Sequence, residues 1–196
     1  MGTPLDEAAL DTLFRSARSQ NKWLDKPVTT EQLIAIYDVM KWGPTSANSF
    51  PARIVFVTSE QGKKRLATVV FEGNRSKVMT APVTAIIGFD TQFYDWLPRL
   101  FPHRDMRSAF VGKPEFAQMS AFRNSSLQGA YLMLAARAIG LDCGPMSGFD
   151  NEGVDREFFP GSRVKSNFIC ALGYGDPGGV MERLPRPSFS EVCEIV

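Results

Sequence analysis

The sequence predicts an α+β domain, with helices packed on both sides of a mixed, mostly antiparallel sheet. Helical and strand periodicities both occur along the chain, but not in strict alternation. The stretch VTAIIGF (83–89) is apolar and β-branched nearly throughout, the mark of a strand buried on both faces. The chain has 196 residues, 44% hydrophobic and 22% charged, which suits one domain spanning 1–196.

Residues 5–20 show Leu5, Ala9, Leu13 and Ala17 on one stripe with Phe14 beside it, which predicts an amphipathic helix. A second helix is expected over 30–41. Thr29 and Gln32 form a capping box, Leu33, Ile36, Tyr37 and Met40 the apolar face, and Gly43-Pro44 the stop. RIVFVT (53–58) reads as a strand and EQGKKRLATVVF (60–71) as a helix. After the buried strand comes a long connection, 90–113, rich in Phe93, Tyr94, Trp96, Phe101 and Phe110. Connections of that length carry function or short helices of their own.

Residues 115–139 form the longest expected helix, closed by Gly140. Leu127, Tyr131, Leu134 and Ala138 are apolar at helical spacing, and Ser125, Ser126, Gly129, Ala130, Ala135 and Ala136 are small. A helix of this kind is buried, with a partner helix as one candidate neighbour. A short strand near 141–146, a short helix near 150–158 and a strand at NFICALGYG (167–175) follow. The tail, 180–196, combines the Pro-broken RLPRPSF (183–189) with an apolar-polar alternation. It has no core of its own and is expected to lie across something else.

Net charge is +1 with the signs interspersed, so neither nucleic acid nor an anionic membrane finds a basic field. No apolar run approaches the roughly 20 residues of a membrane span. MGTPLDEAALDTLF (1–14) lacks the charged and apolar regions of a signal peptide. The three cysteines, Cys143, Cys170 and Cys193, are far apart and without a CxxC, and are read as reduced thiols of a cytoplasmic protein. The single histidine, His103, excludes a His-rich metal site within the chain, and no metal is expected. A Ser-His relay would have to use His103 in LFPHRD, a Pro-flanked aromatic loop. GYGDPG (173–178) matches G-x-G-x-x-G, but Pro177 and Gly178-Gly179 forbid the helix that a dinucleotide fingerprint needs.

Four polar stretches remain, each read as a loop beside a regular element: ARSQNKWLDKPV (17–28), GPTSAN (43–48), GNRSKV (73–78) and GPMSGFD (144–150). Singly, each has an ordinary reading as turn formers and solvated cations. Together they offer cations, hydroxyls, amides and two bent backbones, an inventory suited to a flat, polar-edged ligand bearing a phosphate.

In this order and spacing the four stretches resemble the FMN-binding segments of the nitroreductase family, over nearly the whole chain. VMKWGPTSAN (39–48), LPRLFPHRDMR (97–107) and GPMSGFD (144–150) are similar to one branch, the malonic semialdehyde reductases of the bacterial pyrimidine-utilisation (Rut) pathway. The resemblance implies a nitroreductase-like fold and an interleaved homodimer whose C-terminal arm lies on the partner. It implies FMN as cofactor, with NADH or NADPH as donor. Arg18, Ser19 and Asn21 would contact the phosphate, ribityl chain and ring edge. Asn74 and Lys77 would meet the polar edge of the ring, Lys77 stabilising its reduced form. Pro145, Met146, Ser147 and Gly148 would run along the reactive side. Pro44, Thr45, Ser46 and Asn48 would reach the FMN bound mainly by the other subunit. Arg183 or Arg186 would close on the phosphate. Many members carry Arg in place of Ala17 and a basic residue in place of Asn21, so here Arg18 or Arg15 must supply the phosphate charge.

The implied activity is ping-pong reduction of malonic semialdehyde to 3-hydroxypropionate. The alternatives are a broad nitro or quinone reductase and a non-catalytic flavin-binding protein. Arg99, His103, Arg104, Arg107 and Arg123 are the cations available for a small carboxylate-bearing aldehyde.

Overall fold

The structure is a computed structural model that describes residues 2–196. Its centre is a sheet of four strands in the order β1-β2-β4-β3, every neighbouring pair antiparallel. The strands are β1 (Ala52–Val57), β2 (Val83–Asp90), β3 (Asp142–Met146) and β4 (Val164–Gly173). All of β2 is buried, as its unbroken apolar run predicts. The one parallel contact beside the four strands is an isolated bridge between Ser19 and Cys143.

Helices α2 (Thr30–Met40) and α6 (Pro114–Ala138) cover one face. Leu33, Ile36, Met40, Leu132 and Ala136 pack there on Val83, Ala85 and Ile87. The other face carries α3 (Glu60–Val69), α4 (Glu72–Thr80) and α7 (Asn151–Phe158), with Leu66, Val78 and Val154 packed on Ile86, Ile169 and Ala171. Phe93, Leu97 and Phe110 of the long connection form a third cluster with Phe89, Ala117 and Ala121. That connection carries a 3-10 turn (Phe93–Trp96) and the short helix α5 (Leu97–Leu100).

Local signals explain the boundaries. Thr29 caps α2 with the reciprocal Gln32 bond, a device worth about 0.5–2 kcal/mol. Gly140, at φ 85°, supplies the left-handed residue that closes α6. The expected helix over 5–20 is shorter: α1 (Glu7–Leu10), capped by Asp6, runs into a π turn over Asp11–Arg15. Its apolar stripe is at most half-buried, against α6, and Leu5 and Phe14 are exposed. The expected sheet parallelism is confined to the lone bridge.

Two further expectations need correction. GNRSKV (73–78) is no loop but the body of α4, anchored at its start by Phe71 N–H donating to Gly148 O at 2.9 Å. The Leu127–Tyr131 stripe of α6 points away from the core. Ala117, Ala121, Ser125, Gln128 and Leu132 face inward instead. The tail ends in the one-turn helix α8 (Phe189–Val192), and residues 181–196 are exposed throughout.

Candidate functional site

Three of the four polar stretches meet along β3. Gln20 N–H donates to Cys143 O at 2.9 Å, seating the 17–28 stretch beside the strand. The approach is close enough that a Cβ on Gly144 would lie 2.5 Å from Gln20 O. At the other end, Asn74 Nδ2 donates to Gly148 O at 3.0 Å, tying α4 to the loop after β3. A line therefore runs from Arg18 and Ser19, past Pro145 and Met146, to Ser147, Gly148 and Asn74. Gly148 lies five positions beyond Cys143, at most about 17 Å at strand rise. Met146 is buried in the sheet, whereas Pro145 and Ser147 are exposed. Lys77 is half-buried on α4, and no carboxylate lies within 4 Å of it among the described residues.

The Arg18 end opens into a cavity of about 660 Å³, lined by Arg15, Arg18, Ser19, Asn21, Arg137 and Arg183 among others. Arg186 is on the same wall, and Glu182 is its one acid. Arg15 is spoken for, with Nη2 2.5 Å from Glu7 and Nε 2.7 Å from Asp11. Arg18, Arg137, Arg183 and Arg186 have no carboxylate partner among the described residues and donate to main-chain carbonyls. Arg18 reaches Met181 O, Arg137 reaches Leu13 O at 2.9 Å, and Arg183 reaches Arg15 O at 2.6 Å. Arg186 bonds only its neighbours Leu184 and Pro185. Four guanidinium groups around one cavity, none paired with a carboxylate among the described residues, repel one another, and an anion relieves that repulsion. Between the two alternatives for the N-terminal cation, Arg18 is the uncommitted one. Of the two tail arginines, Arg183 is the one that bridges tail and first stretch. The buried Gln20 Oε1 has no hydrogen-bond partner, a further polar group presented beside this line.

The fourth stretch lies elsewhere. Ala47, Asn48 and Phe50 all have positive φ, between 44° and 51°, which is strained for residues with a Cβ. The loop is held open by Ser46 N–H donating to Asn124 Oδ1 at 2.8 Å. Phe50 N–H donates to Thr45 Oγ1 at 3.2 Å, and Asn48 Nδ2 to Leu100 O at 2.9 Å. A Cβ on Gly43 would collide with the Tyr131 ring at 2.5 Å. Pro44, Thr45, Ser46 and Asn48 belong to the loop leading into β1, the edge strand opposite β3, and that loop is bonded to α6 and the long connection. Within one chain the sequence-predicted residues thus fall into two groups.

Sequence reasoning missed Gln20, Asn124 and Arg137. Each is a polar residue that reads as solvated, and only tertiary placement shows otherwise. His103 is exposed, sits edge-on to Phe101 at 5.8 Å and has no hydrogen bond among the described residues, which leaves a Ser-His relay without its geometry. All three cysteines are free. The adjoining Cys143 thiol, together with burial, pushes the Cys170 thiol well up and makes it a poor nucleophile. GYGDPG is followed by a 3-10 turn at Pro177–Gly179, not a helix. Among the described residues no group of metal-binding side chains occurs, and no helix is long and apolar enough to cross a membrane.

The model of the nitroreductase family matches residues 14–175. The chain belongs to this family. A protein of Stenotrophomonas maltophilia (strain K279a), provisionally named an NADH dehydrogenase/NAD(P)H nitroreductase, is 59% identical over 195 residues and the whole of both chains. A similarly named protein of Polynucleobacter asymbioticus is 58% identical over 196 residues, again the whole of both chains. Among solved structures, a nitroreductase-family protein of Exiguobacterium sibiricum in complex with FMN superposes with a TM-score of 0.85 at 21% identity. The match covers 100% of this chain and 99% of that one. The ydfN protein of Bacillus subtilis gives 0.85 at 22% identity, over 97% and 100%. The nitroreductase fold is thereby established, and the chain is an oxidoreductase of that family.

Proposed function

We propose that this nitroreductase is an FMN-dependent NAD(P)H oxidoreductase that reduces malonic semialdehyde to 3-hydroxypropionate. The observation that carries the cofactor is the set of arginines without carboxylate partners around the 660 Å³ cavity, at one end of the β3 line. A mononucleotide has the matching shape, with an anion at one end and a flat polar ring at the other. Arg18 and Arg183 hold the phosphate, with Arg137 and Arg186 adding charge and Ser19 a hydroxyl. Each charge-assisted bond contributes about 1.5–3 kcal/mol. Asn21 and Asn74 meet the polar atoms of the ring. Pro145, Met146, Ser147 and Gly148 back its reactive side. Lys77, free of any carboxylate, favours the anionic reduced ring.

When bound, FMN supplies two-electron chemistry, accepting a hydride from NAD(P)H and passing it to the acceptor. The aldehyde carbon gains that hydride, its oxygen gains a proton, and NAD(P)H leaves as NAD(P)+. The protein's own part is to orient the acceptor and exclude water.

The active unit is a homodimer on this reading. Pro44, Thr45, Ser46 and Asn48 complete the site of a second copy, since within one chain they lie apart from β3. The exposed Tyr131 of α6 and the exposed tail, with Leu184, Phe189 and Ile195, provide the apolar surface for that association. The relatives' names favour a second reading, broad nitro and quinone reduction.

Anaerobic spectroscopy separates the readings. The purified protein should be yellow, bleach with NADPH or NADH, and recolour faster with malonic semialdehyde than with a nitroaromatic. Recolouring no faster with the aldehyde would favour the broad reductase. Flavin that stays oxidised with both nucleotides would leave a binding protein.

A further inference from the structure

The long connection and α6 enclose a second cavity, about 340 Å³, beside the 43–48 loop. Its walls are mostly apolar. The Phe110 and Phe116 rings stack there at 5.2 Å and 12°, and Met106, Met119 and Leu127 complete the lining. Most of its polar members are already engaged. Asn124 accepts from Ser46 N–H and donates to Ser120 O, at 2.8 Å and 2.9 Å. The exception is Arg123, which has neither a carboxylate within 4 Å nor a hydrogen bond among the described residues.

The other cations near the connection differ. Arg53 and Arg163 bind Asp90, and Arg107 binds Asp95. Arg99 lies over the Trp96 ring at 4.7 Å. His103 and Arg104 are exposed on the turn between Phe101 and Ala109. Arg123, itself exposed at the rim, combines an uncommitted guanidinium with a mostly apolar cavity wall.

We infer that Arg123 anchors the carboxylate of a short aliphatic acid whose reducible carbonyl lies at its other end. The inference rests on the reading above, in which the 43–48 loop faces the flavin of a second copy. Ser46 belongs to both that loop and this cavity, so a molecule held by Arg123 extends toward the flavin. A guanidinium binds a carboxylate through two parallel N–H···O bonds, and apolar walls strengthen them by thinning the water. The carboxylate itself neither gains nor loses a bond. Its capture fixes the distance and direction of the carbonyl, which is where a gain in rate arises. Arg123 is on this account a specificity-determining residue.

The test uses the full-length, flavin-loaded enzyme and its Arg123→Gln and Arg123→Lys variants. Steady-state kinetics are measured with malonic semialdehyde and with a neutral quinone. The ratio of kcat/KM, aldehyde over quinone, should fall about 10- to 100-fold in R123Q, chiefly through the aldehyde KM. R123K should recover part of it. Malonate, which cannot be reduced, should compete with the quinone in the wild type, with an inhibition constant raised by a similar factor in R123Q. A ratio within about twofold of wild type in R123Q, or no competition by malonate in the wild type, would overturn the anchor. The malonate arm does not depend on aldehyde turnover. Competition by malonate without any aldehyde reduction would support the anion subsite and strike only the substrate assignment.

Discussion

Arg163 clasps Asp90 at the end of β2, its Nε 2.8 Å from Oδ1 and its Nη2 3.3 Å from Oδ2. The Asp90 side chain is only 4% exposed, and Arg53 meets the same carboxylate at 2.8 Å. Arg163 also reaches Asp95 at 2.8 Å, and Asp95 binds Arg107 at 3.0 Å. Two carboxylates and three guanidinium groups thereby tie the sheet to the connection that walls the Arg123 cavity.

Removing Asp90 should be the most damaging charge deletion in this network. D90A leaves Arg53 partly buried without its partner, and breaking a buried pair costs about 3–5 kcal/mol. For a chain of this size the melting temperature should drop by roughly 6–20 °C. R107Q, which breaks an exposed pair, should cost about 1 kcal/mol or less. Calorimetry of both variants checks the order. Equal, small losses would show that the network contributes little.

Asp95 should make the protein acid-sensitive. Partial burial pushes its carboxyl up, but hydrogen bonds and charge from Arg163 and Arg107 outweigh that, and the net pKa is lowered. A carboxyl that binds its proton less readily when folded stabilises the fold above its unfolded pKa, about 3.9. That contribution is lost as pH falls through the lower folded value. Melting temperature should therefore decline in wild type from about pH 5 downward, and less steeply in D95N. Parallel profiles would assign the acid sensitivity to other groups.

Gly144 and Gly148 should differ in what they tolerate. A Cβ on Gly144 meets a main-chain oxygen, Gln20 O at 2.5 Å, so the 17–28 stretch must shift off β3. A Cβ on Gly148 meets Asn74 Nδ2 at 2.7 Å, the end of a side chain that can rotate. G144A should cost about 1–3 kcal/mol and lower FMN content, and G148A less on both counts. Melting curves and bound-flavin absorbance read the two effects. A G148A protein hit as hard as G144A would mean that the Asn74 bond matters more than the strand contact.

Much of this fold was legible because its signals are local. Thr29 and Gln32 announce α2, VTAIIGF announces β2, and Gly140 closes α6 in the conformation only glycine adopts freely. Helix α4 was hidden because Glu72, Gly73, Asn74, Arg75 and Ser76 carry no apolar period. It forms through burial of Val78 and the Phe71–Gly148 bond, both long-range. On α6, the sequence shows two candidate faces, and the smaller, more polar one faces the sheet. Phe168 leaves no room there: a Cβ on Gly129 would sit 2.4 Å from its ring. The positive charges at 18 and 183 were visible. The Asp11–Arg15 pair follows the helical i,i+4 spacing, but the Glu7 contact and the open Arg18 depend on where the π turn ends.

That contrast between neighbouring arginines is the sharpest prediction for the cofactor. Arg15 spends its charge on two acids, whereas Arg18 and Arg183 spend theirs on carbonyls that also accept from water. An arriving phosphate must compete with Glu7 and Asp11 for Arg15 but with no carboxylate for the others. R18Q and R183Q should each weaken FMN binding about 10- to 100-fold, the equivalent of one lost charge-assisted bond. R15Q should weaken it by about threefold or less, since a half-neutralised cation adds little field. Titration of flavin-free protein, followed by quenching of FMN fluorescence, gives the three dissociation constants directly. If R15Q falls furthest, the phosphate draws Arg15 away from its acids. The Glu7→Gln change should then tighten binding, whereas on the present geometry it leaves binding as it is.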